Sequence, residues 1–408
     1  MHILFVTQII PYPPHGGVLQ RGFNLLRELG RHHSVHLLAF HHPDELPFGE
    51  PLERSRVELG KFCSTIEYFP LWPKRSRFHK LLAFAAGALH PQPFSVFAHD
   101  SAALERRIGE ICAGPDRPDI VHLDTIALAP YRDACAGVPC VLAHHNIESQ
   151  LMARRAGFET SALARAYVAA QARRLLAYER RHVESIPLNI VVSDADAVTL
   201  RSLAPGARTA AISNGVDIDY FQARGAGGMA VAYTGGMNMF ANRDAVDWFL
   251  EAIWPRIKAE IPDVKFFAIG QRPSDKLLAA AARDPSIEAP GFVDDVRPWV
   301  ARTGVYVVPL RVGGGTRLKM VDAMAQGKAI VSTTLGAEGI AGDAGKHFVL
   351  ADDPAEFAAQ TVRLLRDEAA RRELGQAARA RAEERYAWSI LGAKLADEYS
   401  RVIEEAKR

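Results

Sequence analysis

Met229-Ala230-Val231-Ala232-Tyr233-Thr234-Gly235-Gly236 lies just past the middle of the chain, and its reading decides the fold. A short apolar run that ends in glycines reads as a buried strand entering a turn. The chain opens in the same way. Ile3–Val6 is a buried strand, Gly16-Gly17 follows it, and Leu19, Phe23, Leu26 and Leu29 then recur at helical spacing. Outward from the opening, Val35–Phe40, Ile120–Leu123, Cys140–Ala143 and Ile190–Val192 read as further buried strands. Outward from Met229, Val264–Ile269 ends in Gly270, and short strands follow from Ile287, over Gly304–Pro309 and over Ala329–Ser332, with Phe249–Ile257 helical. Strands that alternate with amphipathic helices predict parallel sheets covered on both faces. Two such runs predict an α/β protein with two sheets. The boundary falls in the Gly-, Ala- and Pro-rich stretch Ala204–Gly228.

The 408 residues suit two domains. Hydrophobic residues make up 48% and charged residues 24%, which supports two cores and excludes disorder or coiled coil as the main architecture. Lys plus Arg is 49 against 47 for Asp plus Glu, a balance that argues against a nucleic-acid-coating protein. The four cysteines, Cys63, Cys112, Cys135 and Cys140, form no C-x-x-C pair, so they read as buried, reduced thiols rather than a zinc or disulfide framework. The N-terminus lacks the features of a signal peptide, and no run is long enough to span a membrane. A cytoplasmic location is the expectation.

Four stretches carry residues suited to chemistry. The loop Thr7–Gly17 is not G-x-G-x-x-G, and the strand Val35–Phe40 ends in His41-His42 rather than an acidic residue, which weighs against a dinucleotide. Gly16 and Gly17 can still present bare N–H groups to an anion at a helix start, or simply form a tight turn. In Arg311-Val312-Gly313-Gly314-Gly315-Thr316-Arg317-Leu318-Lys319-Met320-Val321-Asp322, three glycines precede a helix whose first turn holds two cations. Such a helix start favours phosphate, and a carboxylate one turn deeper can take a ribose diol. The combination suggests a nucleoside diphosphate; a surface salt-bridge cluster is the bland alternative. At Val141–Glu148 a strand ends in His144-His145-Asn146. Neighbouring residues on an extended chain point opposite ways, so a metal pair is disfavoured there. Gly291-Phe292-Val293-Asp294-Asp295-Val296 reads as a loop whose backbone could meet a base edge, or as a plain turn.

Taken in order, these pieces resemble the retaining glycosyltransferases of family 4, also called group 1, with the GT-B fold. Ser193, Asn214-Gly215-Val216-Asp217, Gly270 and the strip Gly313–Gly327 with Gly336-Ala337-Glu338-Gly339 complete the resemblance, which covers nearly the whole chain. It implies an N-terminal Rossmann-like acceptor domain over residues 1–222 and a C-terminal nucleotide-sugar domain over 223–385, facing across a cleft. Residues 386–408 would form a helix returning to the N-terminal domain on the anchors Tyr386 and Trp388. The resemblance further implies that His145 lies beside the reacting sugar and that Arg317 and Lys319 neutralise the diphosphate. Gly16, Gly17, Gly235, Gly314, Gly315, Thr316 and Leu318 would approach or hold the phosphates, Asp322 the ribose, and Val293 and Asp294 the base.

Two positions depart from the family pattern. Gly314 stands eight residues before Asp322 where the family often has glutamate, and only Arg243 is basic in Gly235–Arg243. The implied activity is metal-independent transfer of a sugar from an NDP-sugar, with retention, to a lipid-linked or polysaccharide acceptor in bacterial exopolysaccharide or lipopolysaccharide synthesis. No cofactor, metal or nucleic acid is expected. A nucleotide-sugar epimerase or hydrolase, or a non-catalytic nucleotide-binding partner of an assembly complex, are the alternatives. Lys74, Arg75, Arg77 and Lys80 ahead of Leu81–Leu89 suit either an anionic membrane surface or a plain surface helix.

Overall fold

Ile3, Leu4, Phe5 and Val6 are all buried in the central strand of the first sheet. In this computed structural model the described residues are all but 15, 75–78, 80–85, 88–89, 160, 224, 226 and 313–316. The chain divides into two compact units, Met1–Ser213 with Leu391–Arg408, and Asn214–Ile390.

The first unit holds a seven-stranded sheet in the order β3-β2-β1-β4-β5-β6-β7. Its strands are β1 (His2–Thr7), β2 (Ser34–His41), β3 (Thr65–Pro70), β4 (Ile120–Leu123), β5 (Cys140–Ala143), β6 (Leu188–Val191) and β7 (Thr209–Ala211). All pairings are parallel, with Ile3 opposite both Val35 and Ile120. Each strand must therefore return through a crossover, which the intervening helices supply. Strand order reverses between β1 and β4. The four cysteines are free and buried in this unit.

The second unit repeats the plan with six strands in the order β10-β9-β8-β11-β12-β13. These are β8 (Gly228–Thr234), β9 (Lys265–Ile269), β10 (Ile287–Gly291), β11 (Thr303–Val308), β12 (Ala329–Ser332) and β13 (Val349–Leu350). Order reverses between β8 and β11. The helix expected over Phe249–Ile257 is a composite, in which a π-turn at Phe249–Ile253 joins Phe240–Trp248 to Trp254–Glu260. Pro255 at the start of the last segment lacks the N–H that would continue a regular helix. Val216 and Phe221 belong to the second core, so Ala204–Gly228 serves both units.

The C-terminal helix Trp388–Ala406 runs from the second unit into the first. Leu391, Leu395, Tyr399 and Val402 are buried at a spacing of three or four residues, one helical face. Close approach is possible because Gly392 lies against Glu28, where a Cβ would collide. Lys394 Nζ donates to the Ala211 carbonyl at 2.7 Å. The anchoring expected of Tyr386 is corrected here. Its ring lies in the second core and its hydroxyl accepts from the Ala341 N–H at 2.6 Å. The aromatic residue seated in the first unit is Tyr399, fully buried with its hydroxyl on His122. Among the described residues, no helix is long and apolar enough to cross a membrane. Arg75, Arg77, Lys80 and most of Leu81–Leu89 lie outside the described residues.

Leu395 is completely buried. Leu395→Ala is expected to destabilise the first unit by about 2–5 kcal/mol, measured by urea unfolding, through lost burial and a residual cavity. An unchanged midpoint would mean that the helix is not part of that unit.

Candidate functional site

In the second unit, the loops after β8, β9 and β11 converge where strand order reverses. Gly235 follows β8 and Gly270 follows β9, with the Gly235 N–H on the Ile269 carbonyl at 2.9 Å. A side chain at Gly270 would strike the Gly235 carbonyl, so glycine there allows the two loops to touch. A Cβ at Gly235 would come within 2.6 Å of Lys319 Nζ. Lys319 lies in the first turn of the helix Leu318–Ala325, whose leading N–H groups have no acceptor within the helix.

Lys319 Nζ donates to Tyr233 Oη and to Asn242 Oδ1, both at 2.6 Å, and sits 4.2 Å from the centre of the Tyr233 ring. Tyr233 Oη donates to Asn242 Oδ1 at 2.8 Å, and Asn242 Nδ2 to the Gly236 carbonyl at 2.8 Å. The hydrogen-bonding partners of the amine are thus neutral. Burial pushes Lys319 down to about 7, with the charge of Arg317 acting the same way. One turn along, burial pushes Asp322 up to about 7, and its Oδ1 has no hydrogen-bond partner among the described residues. A buried carboxylate oxygen without a donor is costly unless a ligand supplies one.

Arg317 is buried just ahead of this helix, with Nη2 3.3 Å from the Leu335 carbonyl and 3.6 Å from Glu338 Oε2. The structure thus places Arg317 on the Leu335–Glu338 segment, while Lys319 meets Gly235, Tyr233 and Asn242. The half-buried Leu318 opens the helix. Gly314, Gly315 and Thr316 lie outside the described residues. Val293 and Asp294 lie in the loop after β10, half-buried and exposed respectively. The Gly291 carbonyl, at the start of this loop, accepts from the Gly270 N–H at 3.0 Å. Arg297 braces its other end, stacked 3.7 Å over the Tyr220 ring and paired with Asp295 at 2.8 Å.

In the first unit, Gly16 and Gly17 open the helix Gly17–Gly30. Gly16 has φ +92°, a conformation that favours glycine, and no side-chain cap covers the helix end. His145 follows β5. Its Nε2 lies 3.0 Å from the Asp124 carbonyl and 3.3 Å from Asp124 Oδ2. Its neighbour His144 points into the core onto Asn189 Oδ1 at 3.0 Å, and burial pushes it down to about 4. Among the described residues, no three His, Cys, Asp or Glu are grouped as metal ligands. Sequence reading missed Asp124, Tyr233 and Asn242. Asp124 carried the one usable signal, a carboxylate directly after the strand Ile120–Leu123.

Two family profiles match the chain: "Glycosyltransferase Family 4" over residues 15–220 and "Glycosyl transferases group 1" over residues 229–367. A phosphatidyl-myo-inositol mannosyltransferase of Mycobacterium tuberculosis is 30% identical over 235 residues, 54% of this chain and 61% of that protein. Its counterpart from Mycolicibacterium smegmatis is 33% identical over 160 residues, 38% and 41% of the two chains. An uncharacterized 44.6 kDa protein of the Klebsiella pneumoniae cps region is 28% identical over 141 residues, 31% and 35%. The match therefore spans 35% to 61% of these relatives' lengths. Among solved structures, Anabaena HepE in complex with UDP has a TM-score of 0.67 at 16% identity, covering 98% of this chain and 100% of that one. Sucrose-phosphate synthase from Thermosynechococcus elongatus has a TM-score of 0.68 at 16% identity, covering 99% and 100%. At that identity the likeness shows the fold alone, a two-domain GT-B architecture.

Lys319 is held at a cost. Removing its charge leaves Tyr233 and Asn242 hydrogen-bonded to each other. Lys319→Met is therefore expected to stabilise the ligand-free protein at pH 7 by roughly 1–3 kcal/mol. A lysine pushed down to about 7 destabilises fully below that pH and progressively less as pH rises toward the ordinary lysine value of 10.5. The gap between variant and parent should accordingly shrink over that window in urea titrations. A variant less stable than the parent at pH 7 would contradict this account.

Proposed function

The chain belongs to glycosyltransferase family 4, the group 1 glycosyltransferases, and from that premise we propose that it moves a sugar from a nucleoside-diphosphate sugar to a lipid-linked or saccharide acceptor. The transfer retains anomeric configuration and serves bacterial exopolysaccharide or lipopolysaccharide assembly. The observation that carries this reading is the desolvated amine of Lys319, held against Gly235 by neutral partners, with the unpartnered carboxylate oxygen of Asp322 one turn away. The relatives named for transfer of mannose to phosphatidyl-myo-inositol and for a cps region, and the neighbour solved with UDP, support the substrate classes.

In this proposal the diphosphate lies at the start of the helix Leu318–Ala325. Its negative charge meets the helix N–H groups, Arg317 and Lys319. Fixed charges and dipoles of this kind stabilise the phosphate charge that grows as the sugar–phosphate bond breaks. Asp322 accepts from the ribose hydroxyls, Val293 and Asp294 flank the base, and in the first unit Gly16 and Gly17 offer N–H groups to an anion. His145 serves at the reacting sugar. The acceptor hydroxyl attacks on the face that the diphosphate leaves and gives its proton to the departing β-phosphate oxygen, so its oxygen replaces the phosphate oxygen at the same side of the anomeric carbon. The cationic side chains supply the charge that a metal ion would otherwise provide. The basic run Lys74, Arg75, Arg77 and Lys80 contacts anionic lipid.

Binding of a nucleotide sugar, whose diphosphate ester keeps constant charge near neutrality, should have a bell-shaped pH dependence centred near 7. Lys319 must be protonated to pair with phosphate, so affinity falls as pH rises above about 7. Asp322 must be ionised to accept from ribose, so affinity falls as pH drops below about 7. Calorimetry should show the alkaline limb lost in Lys319→Met and the acid limb lost in Asp322→Asn; a pH-independent parent would count against both roles. In liposome sedimentation, changing the four basic residues to Glu should abolish binding to anionic vesicles. Undiminished binding, or none by the parent, would end the membrane proposal.

A further inference from the structure

The polar cluster behind His145 extends to the far end of the chain. Asp124 follows β4 and is buried, with side-chain exposure of 3%. Its Oδ2 lies 3.3 Å from His145 Nε2, and its main-chain carbonyl 3.0 Å from the same nitrogen. Its Oδ1 lies 3.4 Å from His122 Nε2. His122 Nδ1 in turn lies 2.7 Å from the hydroxyl of Tyr399, on the C-terminal helix. Phe5 stacks on the His122 ring at 4.0 Å and fixes its plane. Arg21, buried on the helix Gly17–Gly30, is attracted by the charge of Asp124 and donates to the Ser213 carbonyl at 2.9 Å.

With both rings neutral, the donors and acceptors in this cluster can be ordered in one way. A carbonyl oxygen only accepts, so His145 Nε2 carries a proton. Burial alone would raise the Asp124 carboxyl, but His145 and His122 outweigh it and hold the group well below the usual carboxylate range. An ionised carboxylate also only accepts, so His122 Nε2 carries a proton as well. His122, with burial pushing its charged form down, then keeps Nδ1 as an acceptor for the Tyr399 O–H. The chain of donation runs from Tyr399 to His122 to Asp124, and from His145 to Asp124.

We propose that Asp124, backed by His122 and by Tyr399 of the C-terminal helix, is a positioning residue that locks His145 in its Nε2–H tautomer and presents Nδ1 as the acceptor for a sugar hydroxyl. This inference rests on the reading of His145 as a residue at the reacting sugar. The C-terminal helix thereby acquires a role in the site as well as in the core. Asparagine at 124 keeps the shape and the main-chain carbonyl but offers one side-chain acceptor oxygen where the carboxylate offers two, so either His122 or His145 loses its side-chain acceptor.

The test joins a spectrum to kinetics. Nitrogen-15 NMR of the histidine rings in the donor-free parent should show His145 protonated at Nε2 and bare at Nδ1; protonation at Nδ1 instead overturns the relay. Asp124→Asn should lower kcat by about 10²–10³-fold while leaving donor KM within about 3-fold. Tyr399→Phe, a milder change that fills the same volume, should lower kcat by about 3–10-fold with the ring proton of His145 redistributed. Either variant folded, with parental kcat and parental ring spectrum, overturns the proposal. A parent that binds no nucleotide sugar counts against the proposed function, whereas the ring spectrum, read without donor, decides the relay by itself.

Discussion

A parallel sheet delivers the carboxyl ends of all its strands to one edge, and where the strand order reverses, neighbouring loops leave in opposite directions and open a crevice. This constraint operates twice in the chain. In the first sheet the reversal lies between β1 and β4, and there stand Gly16 and Gly17 after β1, Asp124 after β4 and His145 after β5. In the second it lies between β8 and β11, where Gly235 follows β8 and the segment leading to Lys319 follows β11. Within each sheet, polar groups gather at one edge because the topology brings them there.

That placement carries an energetic cost. The Lys319 amine and the Asp322 carboxyl are both held where burial disfavours charge, each on the order of 4 kcal/mol by the size of its displacement. The second core offsets this, with Met320, Val321, Ala323 and Met324 of the same helix completely buried. One helix thus holds its apolar face in the core and carries Lys319 and Asp322 beside it. The first unit treats its buried charge differently. Asp124 is surrounded by donors and by Arg21, so its ionised form is the stable one. One unit leaves Asp322 Oδ1 without a hydrogen-bond partner among the described residues; the other surrounds Asp124 with donors.

The central strands were legible in the sequence because they are buried on both faces and read as unbroken apolar runs, as Phe266–Ile269 and Val305–Val308 do. The edge strands β3, β7 and β13 escaped. Thr65–Pro70 is half-buried along most of its length, and Thr209–Ala211 and Val349–Leu350 are too short to show a period. The strip Arg317–Asp322 was legible because its charges follow glycines at a helix start. Tyr233 and Asn242 were not, because a tyrosine within a strand and an asparagine in a helix carry no chemistry until Lys319 folds onto them. Tyr386 was misassigned for a similar reason: an aromatic on a terminal helix signals docking but not the core that receives it. Tyr399 and His122, 277 positions apart, could be joined only by the fold.

The central claim is that the segment Arg317–Asp322 takes a nucleoside diphosphate. Calorimetric titration of UDP, GDP, ADP, CDP and dTDP into the parent protein and into Asp322→Ala, with EDTA present, tests it most directly. The account predicts that one nucleotide binds the parent and binds the variant distinctly more weakly, through loss of the ribose contact. No binding of any of the five to well-folded parent protein, or equal binding to both proteins, would contradict it.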